Sequence, residues 1–74
     1  MQDRFRTLVQ EMFDKGIRYD DARFELEGLY IDCALETADG SLSRAATLMG
    51  VHRNTLARRL AEHRRAARKY GARS

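Results

Sequence analysis

Arginine is the residue type best able to do chemistry in this chain, and the arginines are concentrated in its second half. Residues 41–74 carry nine basic side chains against a single acidic one, and eight of the nine are arginine. Residues 1–40 carry ten acidic side chains against five basic ones, a net charge of −5. The planar guanidinium fork is suited to phosphate oxygens and to the edge of guanine. The second half is therefore predicted to bind a polyanion, the alternative being a solvated positive face.

Residue types used in catalysis and metal binding are present, but not in a working arrangement. His52 and His63 are eleven residues apart and fall on different faces of one predicted helix. Cys33, the single cysteine, lies on an apolar helix face, where a small buried side chain is typical. Asp20 and Asp21 are interpreted as a helix cap. We predict that the protein is not an enzyme and binds no metal and no cofactor.

Chain length and composition favour a small domain that gains stability from a second subunit. A domain of this size buries only about 60% of the surface of its unfolded chain. One cysteine cannot form an internal disulfide, so association is the remaining source of stability. No signal peptide and no membrane-spanning apolar run is present, and we expect a cytoplasmic protein without a membrane partner.

The spacing of small and apolar residues between Gly40 and Leu60 predicts a helix-turn-helix. Ser41 caps a short helix that ends near Met49, and Gly50 permits the sharp turn. Val51 is expected to fill the turn from below. A second helix starts near His52 or Arg53. The residues expected to face inward are Leu42, Ala45, Ala46 and Met49 of the first helix and Leu56 and Leu60 of the second.

The remaining side chains at the start of the second helix are free to face outward. They stand where a recognition helix presents side chains to the major groove of DNA. This outward set consists of His52, Arg53, Asn54, Thr55, Arg58 and Arg59.

The segment Gly40–Leu60 resembles the C-terminal segment of the Fis family. The family pattern is roughly Gly-Asn-x-Ser/Thr-x-Ala-Ala-x-x-Met/Leu-Gly-Ile-x-Arg-x-Thr-Leu-x-x-Lys/Arg-Leu. Among the departures, Ser41 and His52 stand in places where asparagine is common, and Ala57 stands where Fis has a second groove-facing arginine. The last departure argues against a base preference shared with Fis.

The resemblance implies a fold and a set of DNA contacts. The family fold is a dimer in which two N-terminal helices of each subunit intertwine and a helix-turn-helix follows. Its two recognition helices stand too close together for straight DNA, so the duplex bends. Arg53 would be the principal base reader, reaching a guanine edge. The full predicted DNA-binding set is Ser41, Ser43, Arg44, His52, Arg53, Asn54, Thr55, Arg58, Arg59, Arg64 and Arg65.

The first half of the chain predicts two amphipathic helices. One runs from about Asp3, as its cap, to Lys15 and is followed by Gly16 in the left-handed conformation. The other runs from Asp20 to Gly40 and is apolar over more than half its circumference, so it must be covered from two sides. One side, Phe24, Ile31, Ala34, Leu35 and Ala38, suits the second half of the chain. The predicted dimer interface consists of Phe5, Leu8, Val9, Met12, Phe13, Leu26, Leu29, Tyr30 and Cys33.

Together these patterns predict an all-α, four-helix subunit of Fis type, with dimerisation helices at 1–40, a helix-turn-helix at 41–63 and a basic tail at 64–74. A compact monomer, in which the first helix folds back over the second, is the alternative architecture. The predicted function is that of a homodimeric DNA-binding transcription regulator or DNA-bending factor of the bacterial nucleoid, with double-stranded DNA and a larger activator or RNA polymerase as partners. The alternatives are an adaptor that restrains a larger Fis-type activator, and the DNA-binding end of such an activator. The tail either adds phosphate contacts or is a solubilising end.

Overall fold

The computed structural model describes residues 2–69, which fold into four helices. They are α1 (Gln2–Asp14), α2 (Tyr19–Thr37), α3 (Leu42–Met49) and α4 (Arg53–Lys69). No strand occurs among these residues. The predicted all-α, four-helix class is therefore confirmed. Residues 70–74 of the predicted basic tail lie outside the described residues.

The core lies where α2, α3 and α4 cross. Its buried side chains are small or medium in size, which allows the three helices to approach closely. Leu35, Leu42, Met49 and Leu60 pack against its edge. The predicted inward set of the helix-turn-helix is confirmed, as is the predicted role of one side of α2 in covering it. The buried residues are Ile31, Ala34, Ala38, Ala45, Ala46 and Leu56.

Helix α1 contributes no buried residue to the subunit. Its apolar stripe is exposed at Phe5, Leu8, Val9 and Phe13, and only Met12 is half-buried. The compact-monomer alternative is therefore wrong for the described residues, because α1 does not cover the second apolar side of α2. That side is itself exposed, at Leu26, Leu29, Tyr30 and Cys33.

Three helix ends lie at residues other than those predicted from the sequence. Asp3 lies inside the first turn of α1, which begins at Gln2. Asp20 is not the cap of α2, because that helix begins at Tyr19 after Arg18, whose side chain makes no capping bond. Asp20 and Asp21 instead occupy the first turn, where the positive end of the helix dipole stabilises their carboxylates. At its other end α2 stops at Thr37, since the chain then turns through left-handed backbone at Asp39 and Gly40.

Candidate nucleic-acid interface

Local sequence fixes the helix-turn-helix at both of its bends. The Ser41 hydroxyl accepts a hydrogen bond from the Arg44 backbone N–H at 3.2 Å, which confirms the predicted cap of α3. Gly50 has a φ of 75°, in the left-handed region that glycine adopts without strain, and its N–H bonds back to the end of α3. The chain thus breaks sharply between α3 and α4, as predicted. Val51 is 38% exposed and does not fill the turn from below, so that prediction is wrong.

His52 closes the start of α4. Its carbonyl accepts the first helical bond, from Leu56 N–H, and its ring Nδ1 accepts from Asn54 N–H at 3.1 Å. The side chain therefore satisfies one of the helix's free amide groups, as Ser or Asp does at other helix starts. Sequence analysis assigned His52 to DNA and missed this role, because histidine is not among the residues that usually cap helices. The exposed ring keeps its Nε2 atom for another partner.

Arg53, the predicted base reader, is exposed at the first residue of α4. Its Nε–H donates to the Ser43 hydroxyl at 3.0 Å, which ties the start of α4 to the start of α3. This bond uses none of the paired N–H groups on the two terminal nitrogens, which form the fork that matches guanine. The structure therefore brings Ser43 and Arg53 together at the surface, ten residues apart in sequence.

Most other members of the predicted DNA-binding set lie at the surface of α3 and α4. Ser41 and Thr55 are half-buried. Along the side of α4, a shallow groove of about 330 Å³ is lined by Leu42, Ala57, Leu60, Ala61, Arg64 and Arg65. The exposed members of the set are Ser43, Arg44, His52, Arg53, Asn54, Arg58, Arg64 and Arg65.

Arg59 differs from the prediction. Its Nη1 lies 2.5 Å from Glu27 Oε2 of α2, and its side chain is 38% exposed. Arg59 lies three residues after the buried Leu56 and so shares its side of the helix. Because its charge is paired within the chain, the predicted DNA contact of Arg59 is not supported by the structure.

Glu27 holds a second partner on α4, and the four side chains form what we call the Glu27 cluster: Phe24, Glu27, Arg59 and His63. His63 Nε2 lies 2.8 Å from Glu27 Oε1, and its ring stacks on Phe24 at a centroid distance of 3.8 Å. The hydrogen bond from His63 lowers the pKa of the Glu27 carboxyl; burial opposes this and the charge of Arg59 adds to it. An ionised carboxylate can only accept, so His63 donates from Nε2.

Comparison with known proteins decides the family. A family model described as "Bacterial regulatory protein, Fis family" matches residues 23–63, more than half of the chain. The chain belongs to the Fis family. The resemblance inferred from Gly40–Leu60 is thereby confirmed. No curated protein and no solved structure matched the chain.

The Fis-family match covers most of α2, the whole helix-turn-helix and α4 as far as His63. The match therefore includes the Glu27 cluster and the predicted DNA-binding face as far as His63. Membership of this family indicates a regulatory protein that binds DNA. Helix α1 lies outside the match.

Within residues 2–69 no group of acidic, histidine or cysteine side chains is placed to hold a metal ion. None of the described helices is long and apolar enough to cross a membrane.

Proposed function

We propose that this Fis-family chain is a homodimeric DNA-binding regulator that reads the major groove with α4. One observation carries the proposal: Arg53 stands exposed at the first residue of α4, immediately after the break at Gly50, with its guanidinium fork free of the bond to Ser43. Side chains at the start of a recognition helix are the ones that reach base edges. Arg53 is thus the base reader in this proposal.

The proposed phosphate contacts surround Arg53. Arg44 on α3 and Arg58, Arg64 and Arg65 on α4 are exposed. Arg59, by contrast, would first have to give up its ion pair with Glu27 to contact a phosphate. The half-buried start of α3 adds hydroxyl and amide donors, which suit a phosphate. We therefore keep the predicted set without Arg59: Ser41, Ser43, Arg44, His52, Arg53, Asn54, Thr55, Arg58, Arg64 and Arg65.

The proposed second subunit covers α1 and the outer side of α2. Both helices carry several large apolar side chains that are exposed in the single subunit, and such surfaces often mark an association site. Pairing of the two subunits through these helices would place two α4 helices around a dyad. If they stand less than one DNA turn, about 34 Å, apart, the duplex must bend to meet both, and its deformability becomes part of the selectivity. We place the protein on DNA in the bacterial cytoplasm.

A second candidate rests on the same exposed apolar surface. A chain with an unpaired dimerisation face can form mixed dimers with a larger Fis-type activator and restrain it. Such an adaptor needs no base reader, so its binding to DNA would be weak and blind to sequence.

Selection from a random duplex pool followed by a salt titration separates the two candidates. A DNA-binding homodimer should enrich a two-fold symmetric sequence. If both subunits place four arginines on phosphates, the slope of log K against log salt should approach about −7. Failure to enrich any sequence, with only weak binding to all duplexes, would contradict the DNA-reading function and favour the adaptor.

A further inference from the structure

The recognition helix α4 is attached to α2 at two separate places. Near its start, Leu56 is 1% exposed and lies in the apolar core with Ile31 of α2. Further along, Arg59 and His63 meet Glu27. An elongated helix held at one point can swing about it, whereas two points about two turns apart fix its direction. Leu60, between these two places, also packs against the apolar core, so the Glu27 contacts add a polar restraint on the direction of α4 to the apolar one.

That second attachment is polar and directional. Each carboxylate oxygen of Glu27 has its own partner, Arg59 Nη1 at 2.5 Å and His63 Nε2 at 2.8 Å. The attraction between apolar side chains has no preferred direction, whereas hydrogen bonds weaken steeply when their geometry changes. The pairs are only partly buried, with 21% of the Glu27 side chain and 38% of the Arg59 side chain exposed, so their directionality matters more here than their contribution to net stability. The Glu27 cluster thus has the chemistry of a positioning device.

The backbone of α2 is shaped to admit the His63 ring. A Cβ atom at Gly28 would lie 3.1 Å from His63 Nδ1 and 3.3 Å from Cε1. Glycine in the middle of a helix costs stability, because it loses more conformational freedom on folding than any other residue. Its presence there, directly after Glu27, is explained by the close approach of the ring, which Phe24 stacks against from the preceding turn.

Helix α2 also carries the exposed apolar face that the proposed dimer uses. Leu26 and Leu29 on that face are immediate sequence neighbours of Glu27 and Gly28. A rigid helix that contacts the partner subunit on one side and grips α4 on the other transmits the position of the dyad directly to the recognition helix.

We propose that the Glu27 cluster is a positioning clamp, which fixes α4 relative to α2 and so sets the separation of the two recognition helices and the half-site spacing that the dimer accepts. The inference rests on the proposed homodimeric DNA-binding function. Glu27 touches no DNA in this arrangement; it acts through Arg59 and His63.

The first test measures the separation of the two α4 helices without DNA. A spin label on Ala67→Cys, an exposed α4 residue, in a Cys33→Ser background gives one distance between the subunits. We expect a narrow distribution for the otherwise unchanged protein and for Glu25→Ala, an exposed carboxylate on α2. We expect Glu27→Ala to broaden or displace it. A distribution identical to that of Glu25→Ala overturns the clamp.

The second test uses unlabelled protein and a panel of duplexes in which two half-sites are moved apart one base pair at a time. Each added pair shifts the second half-site by about 3.4 Å and rotates it by about 34°. We expect Glu27→Ala to reduce the preference for the best spacing over its neighbours by about 3- to 30-fold. A uniform loss at all spacings, with the preference intact, overturns the clamp.

Two milder variants keep the tests decisive if Glu27→Ala loses its helical circular dichroism. Glu27→Gln keeps an acceptor and a donor in place of the charge, and should give an intermediate spacing preference. Gly28→Ala keeps all polar partners but crowds the His63 ring, and should displace the distance distribution without broadening it. The clamp is contradicted if Glu27→Gln leaves the spacing preference unchanged, or if Gly28→Ala leaves the distance distribution unchanged.

The outcomes also separate the clamp from the function on which it rests. If the distances respond to Glu27 but no duplex is preferred, the clamp is supported and the DNA-reading function is rejected. If the unchanged protein gives no distance between subunits, the homodimer is rejected, and the clamp is rejected with it, because its effect on spacing requires two subunits.

Discussion

At the scale of single residues, Arg53 and Arg59 show that two residues of the same type have different roles when they occupy different positions in a helix. Arg53 is exposed at the tip of α4, and only its Nε–H is bonded, to Ser43. Arg59 lies nearly two turns later, on the side that faces α2, and its charge is paired with Glu27. Only the first is therefore expected to read bases.

Replacement of Arg53 tests the base-reading assignment. Arg53→Ala should lower the preference for a selected duplex over random sequence by about 1–3 kcal/mol, because a bidentate contact to guanine is lost. Equilibrium binding to both duplexes at one salt concentration measures this ratio. Arg64→Ala is the control, since a phosphate contact should weaken binding to both duplexes alike. An unchanged ratio for Arg53→Ala would remove the assignment.

Glu27 makes stability depend on pH in a defined direction. Its carboxyl pKa is lowered in the folded state, chiefly by the hydrogen bond from His63. A carboxyl group of this kind stabilises the fold above its ordinary pKa of 4.5, and the contribution is lost as the pH falls through the lower folded value. At pH 7, Glu27→Gln should lower the free energy of unfolding by about 1–2 kcal/mol, discounted for the partial exposure of Arg59.

The pH dependence is measured by urea unfolding at fixed protein concentration. The difference between the unchanged protein and Glu27→Gln should shrink below pH 4.5, the ordinary carboxyl value. Glu25→Gln, which alters an exposed carboxylate two residues away, is the control. A difference between Glu27→Gln and the unchanged protein that persists without change into acid would contradict the role assigned to the Glu27 charge.

At the scale of elements, the break between α3 and α4 depends on the backbone at Gly50. Its φ of 75° is strained for other residues, while a Cβ there would meet nothing within 4 Å. Gly50→Ala should therefore destabilise by backbone strain alone, about 1 kcal/mol, or a fall in Tm of about 4–8 °C. Thermal unfolding followed by circular dichroism measures it. Gly50→Asn should recover most of the loss, because asparagine tolerates this conformation; equal losses would contradict the strain argument.

The elements also show which parts of the fold can be predicted from sequence. The cap at Ser41, the turn at Gly50 and the paired Ala45 and Ala46 were predicted, because each is determined by residues within one or two turns. The pairing of Glu27 with Arg59 and His63 was not, since its members are 32 and 36 residues apart and only the helix crossing brings them together. That crossing cannot be read from periodicity.

The predictions of helix boundaries were wrong for a different reason. Asp20 is a better capping residue than Arg18, yet α2 begins at Tyr19, two residues earlier than a cap at Asp20 would allow. A carboxylate is also favourable inside the first turn of a helix, so the residue type alone does not distinguish the two positions. The imidazole cap at His52 was missed because an atypical residue filled a usual role.

At the scale of the whole molecule, the exposed face of α1 and α2 predicts association. Leu29 is 60% exposed on α2 and belongs to the predicted interface. Leu29→Glu should convert the dimer to a monomer, because two carboxylates would be buried near the dyad. Analytical ultracentrifugation measures the mass, and Tyr19→Glu, at an exposed residue outside the predicted interface, should leave it unchanged. A monomeric unchanged protein, or a dimeric Leu29→Glu variant, would contradict the proposed interface.

The absence of any buried side chain on α1 has a consequence for how the chain folds. A helix of thirteen residues is only marginally stable alone in water, and α1 receives little cover from its own subunit, where only Met12 is half-buried. In the proposed homodimer, α1 would gain its order by contact with the second subunit, so that folding of this segment and assembly would form a single bimolecular equilibrium. On dilution, α1 would melt first while α2–α4 kept their shared core. If the proposed homodimer forms, the concentration of the protein would thereby set the fraction of its molecules in which α1 is ordered.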